Sequence, residues 1–172
     1  YWVDRKRHGR ALIGDNGESR DHVEAINNNY WKGKEYDGTA SSLSNVSLLD
    51  PVVAEVACRW FGISGGSSFD CFAGDSIFGF VSSYLGHSFT GIELRKEQSE
   101  LNNERIAEFT QSRYICDDGQ NVGKHIEAIS QDLLFSCPPY FDLEVYSDLK
   151  NDASNQKDYQ SFLGILRNAF TS

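Results

Sequence analysis

The sequence predicts a single α/β domain built on a mainly parallel β-sheet. Short apolar segments of strand character alternate with segments of helical spacing from Leu48 onwards, and glycine-rich or proline-rich turns separate them. Strands that alternate with helices are joined by right-handed crossovers, which place helices on both faces of a parallel sheet. The chain of 172 residues is 40% hydrophobic and 24% charged, as expected for one globular domain.

The first predicted helix begins at the pair Asp50-Pro51. An aspartate followed by a proline is typical of an N-cap and the first helical position. Apolar residues at helical spacing then continue as far as Gly62. The later predicted elements are a strand at 68–72, a turn at 73–76, a helix at 77–85, a strand at 89–94, a helix at 96–109, a strand at 114–117, a short helix at 122–129, a strand at 132–137 and a helix at 157–170.

Residues 1–46 are polar and irregular, and we expect them to form an N-terminal extension that packs on a domain of residues 47–172. Within the extension, residues 4–10 form a cationic cluster. It is either a solvated helix face or an arm that contacts phosphates. The chain contains no Met, so we expect it to begin downstream of an initiator and to be part of something longer.

Composition argues against several classes of partner. Lys and Arg number 16 against 25 Asp and Glu, a net charge of −9, whereas small nucleic-acid-binding modules are basic. We find neither an apolar run long enough for a membrane span nor a signal peptide, and expect a cytoplasmic protein. The four cysteines show no CxxC pairing, so we expect buried thiols and no metal site.

Acidic residues follow three of the predicted strands. Asp70 ends the first, Glu93 the second and Asp118 the third. Ligands of parallel α/β sheets bind at the carboxyl ends of the strands. Nucleotide-binding folds place a ribose-binding carboxylate about 20 residues after the turn that follows the first strand. The turn at 73–76 lacks a phosphate-binding motif and carries Asp75, which would repel a pyrophosphate. An acid-lined site suits S-adenosylmethionine (SAM), which combines a sulfonium, an amine and a ribose.

The most specific pattern is Cys137-Pro138-Pro139-Tyr140 after the fourth predicted strand. Prolines have a fixed φ and no N–H, so this segment presents rigid carbonyl acceptors. An aromatic ring beside them can stack on a nucleobase. A carbonyl that accepts an N–H bond from an exocyclic amine frees the nitrogen lone pair for attack on a methyl sulfonium.

These motifs together resemble the amino-group DNA methyltransferases, including phage and prophage methylases, which form N6-methyladenine or N4-methylcytosine on a Rossmann-like fold. Residues 69–79 resemble the D-P-F-x-G loop, 90–94 the acid after the second strand, and 135–140 the [D/N/S]-P-P-[Y/F/W] catalytic motif. Residues 47–51 resemble the segment that precedes the glycine loop. A complete domain of this family needs more strands, so the resemblance implies the SAM-binding and catalytic-motif part, without the DNA-recognition region.

The resemblance implies a role for each matching position. Pro138 offers its carbonyl to the target amine, Tyr140 stacks on the flipped base, and Cys137 and Pro139 complete the catalytic motif. Asp70 and the loop surround the methionine moiety, and Glu93 binds the ribose. The implied cofactor-binding residues are Asp50, Pro51, Asp70, Cys71, Phe72, Ala73, Gly74, Asp75, Ser76, Glu93, Leu94, Asp117 and Asp118.

Two positions depart from the family pattern. Cys71 replaces the usual proline of the loop, and Cys137 replaces an Asp, Asn or Ser that accepts the second amine hydrogen. A thiol is a weak acceptor, which affects rate and base preference. The expected partner is double-stranded DNA in a bacterial or phage-infected host, with a homodimer left open. The alternatives are a truncated or inactive SAM-binding fragment or dimer partner, and an rRNA or protein-glutamine N-methyltransferase.

Overall fold

Four parallel strands form the sheet of the computed structural model, which describes residues 49–141 and 145–172. The predicted extension at 1–46 and its cationic cluster lie outside the described residues. The elements, in chain order, are α1 (Pro51–Phe61), β1 (Ser67–Asp70), α2 (Ile77–Tyr84), β2 (Ser88–Glu93), α3 (Lys96–Arg105), β3 (Arg113–Cys116), a 3-10 helix (Gly119–Lys124), β4 (Leu133–Leu134), a second 3-10 helix (Ala153–Asn155) and α4 (Tyr159–Thr171).

The strand order is β3-β2-β1-β4, and every pairing is parallel, which confirms the predicted α/β class. The chain moves outward from β1 to β2 and β3, then returns across the sheet to place β4 on the other side of β1. The strand order therefore reverses between β1 and β4. In open α/β sheets, the crevice at such a topological switch point is where ligands bind.

Helical elements pack against both faces of the sheet, as alternating side chains of a strand require. On one face, Phe78 of α2 contacts Phe89 of β2 and Phe135 after β4, with ring centroids 5.5 and 5.0 Å apart. On the other face, Phe69 and Ile92 form a buried cluster that includes Ala169 of α4. The core of the described part therefore has two layers of packing around β1 and β2.

Helix boundaries follow from local chemistry. The predicted N-cap at Asp50 is confirmed, because its carboxylate accepts the Val52 N–H at 2.7 Å. Asp158 caps α4 in the same way, through the Ser161 N–H at 2.7 Å. Both helices therefore begin at an aspartate that accepts a hydrogen bond from an otherwise unpaired N–H.

Two predicted elements differ from the structure in helix type or in the extent of strand pairing, and the helix predicted at 96–109 ends four residues early, at Arg105. The predicted helix at 122–129 is a 3-10 helix at Gly119–Lys124, because Asp118 caps an earlier start and Asn121 departs from helical backbone angles. The predicted strand at 132–137 pairs only at Leu133–Leu134. Its last backbone hydrogen bond to β1 is that of the Phe135 N–H, which donates to the Phe69 carbonyl at 3.1 Å, and the prolines that follow carry no N–H.

The prediction that the cysteines are buried is half right. Cys58 and Cys71 are buried, but Cys116 and Cys137 are exposed. Both exposed thiols lie at or after the carboxyl end of a strand, where the sheet edge opens towards solvent. Among the helices described, none combines the length and the apolar character required to cross a lipid bilayer.

Replacement of Phe78 by alanine is expected to destabilise the domain strongly. The side chain is 2% exposed and joins α2 to β2 and to the segment after β4, so Phe78→Ala leaves a cavity that costs about 3–5 kcal/mol. Phe61→Ala is the matched control, since Phe61 is 69% exposed, and its effect should stay within about 0.5 kcal/mol. Urea unfolding followed by circular dichroism measures both values, and equal losses would contradict the assigned packing.

Candidate active site

The carboxyl edge of the sheet brings together the acids that follow β1, β2 and β3. Asp70 pairs with Gly91 in the strand register, and Glu93 pairs with Cys116. Backbone hydrogen bonds tie the following turns to this edge, from Ala73 N–H to the Ile92 carbonyl at 2.9 Å and from Asp117 N–H to the Glu93 carbonyl at 3.2 Å. Parallel pairing therefore converts residues far apart in sequence into one site.

Asp70 is the most deeply placed of these acids, at 4% exposure. Its Oδ1 accepts the Phe72 N–H at 2.9 Å and the Ser136 hydroxyl at 2.5 Å. Burial raises the pKa of Asp70 from 3.8 to about 7; these two hydrogen bonds oppose the rise and Glu93 adds to it. A buried carboxyl of this kind is stabilised as an anion by any cation placed beside it.

The turn after β1 depends on a glycine and on a buried amide. Gly74 has φ of +52°, a conformation that residues other than glycine rarely adopt. A Cβ at this position would meet mostly open space. Asn102 of α3 is fully buried and donates from Nδ2 to the Gly74 carbonyl at 2.8 Å. The turn is therefore held in place from α3 and leaves room for a ligand beside Gly74.

The side chains within this turn face different neighbours. Phe72 contacts Phe170 of α4, with ring centroids 5.9 Å apart, so it forms part of the core packing. Asp75 forms an ion pair with Arg105 of α3 at 3.2 Å. Ser76 is buried, and its Oγ lies 3.3 Å from the same guanidinium. Asp75 and Ser76, predicted as cofactor-binding, thus have contacts that attach the turn to α3.

Glu93 is buried but paired. Arg95 donates to its Oε1 from the backbone N–H at 2.9 Å and from Nε at 3.0 Å. Burial raises the pKa of Glu93, while the Arg95 charge and hydrogen bonds partly oppose that rise. Leu94 follows with its carbonyl 3.9 Å from the exposed Cys116 thiol.

Asp117 and Asp118 organise the loop after β3. Asp117 lies 2.6 Å from Nε2 of His125 and accepts the Asn121 amide at 2.9 Å, and the hydrogen bond with His125 is the main cause that lowers the pKa of Asp117 to about 2. Asp118 accepts the Gln120 N–H at 2.9 Å and the Asn151 amide at 2.8 Å. The Asn151 contact ties the segment before α4 to this edge.

The two residues predicted ahead of the glycine loop lie on α1. Among the described residues, Asp50 directs its hydrogen bond to the first turn of its own helix, and Pro51 is buried at that turn. The structure therefore accounts for Asp50 and Pro51 as the N-cap and the first residue of α1.

The segment after β4 borders a cavity of about 520 Å³. Cys137 and Tyr140 are exposed, while Pro138 and Pro139 are half-buried. This volume lies within the roughly 300–1,000 Å³ of small-molecule pockets. The lining consists of this segment and one side of α4: Ser136, Cys137, Pro138, Pro139, Tyr140, Phe141, Tyr159, Phe162 and Leu166.

Several residues of this site were missed by sequence reasoning. The helix predicted at 157–170 carried no predicted site residue, yet Tyr159 and Leu166 line the cavity. Ser136 was not among the predicted site residues, although its hydroxyl donates to Asp70. A hydroxyl directly before the proline pair, opposite a buried aspartate on a neighbouring strand, is the signal that could have found it. In the ranges 49–141 and 145–172, no group of three or more His, Cys, Asp or Glu side chains could hold a metal ion.

The raised pKa of Asp70 predicts an unusual pH dependence of stability. The folded chain keeps a proton on Asp70 up to about pH 7, and the unfolded chain only up to about 3.8. The contribution of Asp70 to the free energy of unfolding is therefore fully present below pH 3.8 and is lost as pH rises through 7. Asp70→Asn keeps the shape but not the titration, so its free energy of unfolding relative to wild type should rise between pH 5 and 7 and level off above pH 7.

Urea unfolding at several pH values measures this difference, at about 1.4 kcal/mol for each unit of pKa shift. Asp158→Asn is the control, because Asp158 caps α4 and has a lowered pKa, so it contributes no slope in this range. A pH-independent difference between wild type and Asp70→Asn would contradict the assignment. His87 is buried and its pKa is lowered, so its contribution to the free energy of unfolding decreases as pH falls. All three proteins contain His87, so this contribution cancels in the comparison.

Comparison with known proteins finds partial likenesses among solved structures. No protein-family model and no curated protein sequence matches the chain. Among solved structures, TrmN from Thermus thermophilus matches with a TM-score of 0.47 and 18% identity over 53% of this chain and 29% of its own. A proposed RNA methyltransferase from Pyrococcus horikoshii matches with a TM-score of 0.46 and 16% identity, over 76% and 68% of the respective chains.

A proposed S-adenosyl-L-methionine-dependent methyltransferase from Methanococcus maripaludis matches with a TM-score of 0.48 and 16% identity, over 91% of this chain and 62% of its own. The chain thus spans between about a third and two thirds of the lengths of these structures.

Proposed function

We propose that this chain binds SAM at the carboxyl edge of the sheet and directs its methyl group to an exocyclic amino group of a base in double-stranded DNA. The observation that carries the proposal is the pairing of two features across the switch point. The buried Asp70 lies at the end of β1, and the proline pair with its aromatic-lined cavity follows β4. The hydrogen bond between Ser136 and Asp70 joins them.

The acids at this edge fit the cofactor. Asp70 is buried, and among the described residues its hydrogen-bond donors are a hydroxyl and a backbone amide and not a cation, so a sulfonium or ammonium group nearby would stabilise its anion. Arg95 donates twice to Oε1 of Glu93, and the Gly74 backbone N–H also donates to this carboxylate. A carboxylate has about four acceptor sites, which leaves capacity for a ribose hydroxyl. Gly74 keeps the turn open to a ligand.

When bound, SAM supplies the methyl group: the carbon–sulfur bond breaks with its electron pair left on sulfur as the carbon–nitrogen bond forms. The role of Pro138 is to accept an N–H bond from the target amine through its carbonyl, which directs the nitrogen lone pair away from the ring. The neutral amine that forms the new bond would release one proton to solvent, since Cys137 and Tyr140 on either side of the prolines are exposed. In the same segment, Cys137 is exposed and its thiol is only a weak acceptor. The Pro138 carbonyl therefore provides most of the interaction that orients the target amine.

The cavity favours a planar ring as substrate. Tyr140 and Tyr159 are about half exposed, at 49% and 53%, and both line the cavity beside the rigid prolines. Aromatic side chains bind unstacked bases through their faces. A base inside a duplex must leave the stack to reach such a site.

Two other functions remain as outcomes of the test. An rRNA base or a protein glutamine amide offers the same kind of N–H group to the Pro138 carbonyl. A chain that binds SAM but transfers no methyl group would be an inactive SAM-binding fragment or a dimer partner.

Cofactor affinity should depend on the two buried acids. Asp70→Asn and Glu93→Gln are each expected to weaken SAM binding about 10- to 100-fold, because each removes a charge-assisted contact. Isothermal titration calorimetry measures the change. Glu100→Gln is the control, since Glu100 lies on α3 with a 65% exposed side chain and should leave affinity unchanged. Absence of SAM binding by the wild-type chain would overturn the proposed function.

Substrate binding should depend on the ring of Tyr140. Tyr140→Ala is expected to raise the KM for DNA about 5- to 150-fold, the equivalent of the roughly 1–3 kcal/mol of one base stack, with SAM affinity unchanged. Tyr140→Phe keeps the ring and should retain most of the activity. Transfer of labelled methyl groups to unmethylated duplex DNA, rRNA and protein, measured in parallel, identifies the substrate. Label on RNA or protein alone would contradict the DNA proposal.

A further inference from the structure

We infer that Ser136 is a positioning residue, whose hydrogen bond to Asp70 holds the Cys137–Pro138 segment so that this segment responds to what binds at Asp70. The inference deepens the proposed function and rests on it for its meaning. The hydrogen bond joins two residues of this chain, so it can be tested without methyl transfer.

The hydrogen bond between Ser136 and Asp70 lies where the backbone pairing of β1 and β4 ends. Backbone pairing between β1 and β4 ends where Phe135 N–H donates to the Phe69 carbonyl at 3.1 Å. One residue further along each strand, the Ser136 hydroxyl donates to Asp70 Oδ1 at 2.5 Å. A side-chain bond therefore continues the link between the strands where the backbone ladder stops.

The residues that follow increase the effect of this link. Pro138 and Pro139 have a fixed φ and no N–H, so neither can anchor the segment through a backbone donor. The direction of the Pro138 carbonyl therefore depends on how the chain leaves residue 136. Cys137 and Pro138 each precede a proline, which restricts both residues to extended backbone, so a rotation at Ser136 is passed on to the Pro138 carbonyl.

The surroundings of Asp70 make its charge sensitive to a ligand. Glu93 faces it from β2, the buried Cys71 thiol lies beside it, and the buried Tyr114 of β3 is close enough to interact with it electrostatically. These groups are acidic, and burial already raises the pKa of Asp70 to about 7. A cation beside Asp70 favours the carboxylate, and the carboxylate is the stronger acceptor for the Ser136 hydroxyl.

The chain contains only three prolines, which permits a direct test. Carbon-13 labelling of proline reports Pro138 and Pro139 at the site and Pro51 at the start of α1 as an internal control. Carbon-13 labelling of aspartate reports the titration of Asp70. In the wild-type chain, the Pro138 signals should shift with pH at the same midpoint as the Asp70 carboxyl, while the Pro51 signals stay constant.

Three variants separate positioning from a general structural role. Ser136→Ala should abolish the shift of Pro138 and raise the Asp70 midpoint, because a hydrogen bond to the charged form is lost. Ser136→Thr keeps a hydroxyl and should restore both. Asp70→Asn should leave Pro138 independent of pH. A Pro138 shift that persists in Ser136→Ala, or that is absent from the wild-type chain, would overturn the inference.

Addition of SAM at pH 7 tests the connection with the proposed function. The wild-type chain should show a shift of Pro138 on binding, whereas Ser136→Ala should bind SAM with a much smaller shift. If SAM fails to bind the wild-type chain, the proposed function is wrong, and the pH titration still decides the role of Ser136. If SAM binds and shifts Pro138 equally in both chains, the positioning role is wrong and the cofactor assignment stands.

Discussion

The parallel pairing of β1 on both of its sides is the constraint on which the site depends. β1 has four residues, yet it hydrogen-bonds to β2 along its whole length and to β4 at two positions. Because the chain must cross from β3 to the far side of β1 to form β4, the carboxyl ends of β1 and β4 lie next to each other. Asp70 and the proline pair become neighbours only through this crossover.

The acids at the carboxyl edge divide into two kinds by their partners. Asp117, Asp118 and Asp75 have histidine, amide or arginine partners that organise loops, and the histidine contact lowers the pKa of Asp117 to about 2. Asp70 instead is buried with neutral donors, and its pKa is raised. Burial without a cation is costly, so it is Asp70 that gains most from a cationic ligand. The net charge of −9 therefore describes acids with different roles.

The cavity beside the proline pair shows how packing residues take on a second role. Phe162 is buried in a cluster with Ala153 and Ile165, and it also lines the cavity with Tyr159. The two rings stack with centroids 5.7 Å apart, and both contact Phe141. Stability of α4 and the shape of the cavity thus depend on the same side chains.

The sequence by itself determined the fold class, most element positions and the grouping of the acids at one edge. Strand and helix periodicity, the Asp50 cap and the proline pair are local signals, because each depends on neighbouring residues. Tertiary structure alone decided the Ser136–Asp70 bond, the Arg105–Asp75 pair and the exposure of Cys116 and Cys137. These contacts join residues from different strands or helices, or depend on which face of the sheet edge meets solvent, and no local pattern in a sequence records such distances.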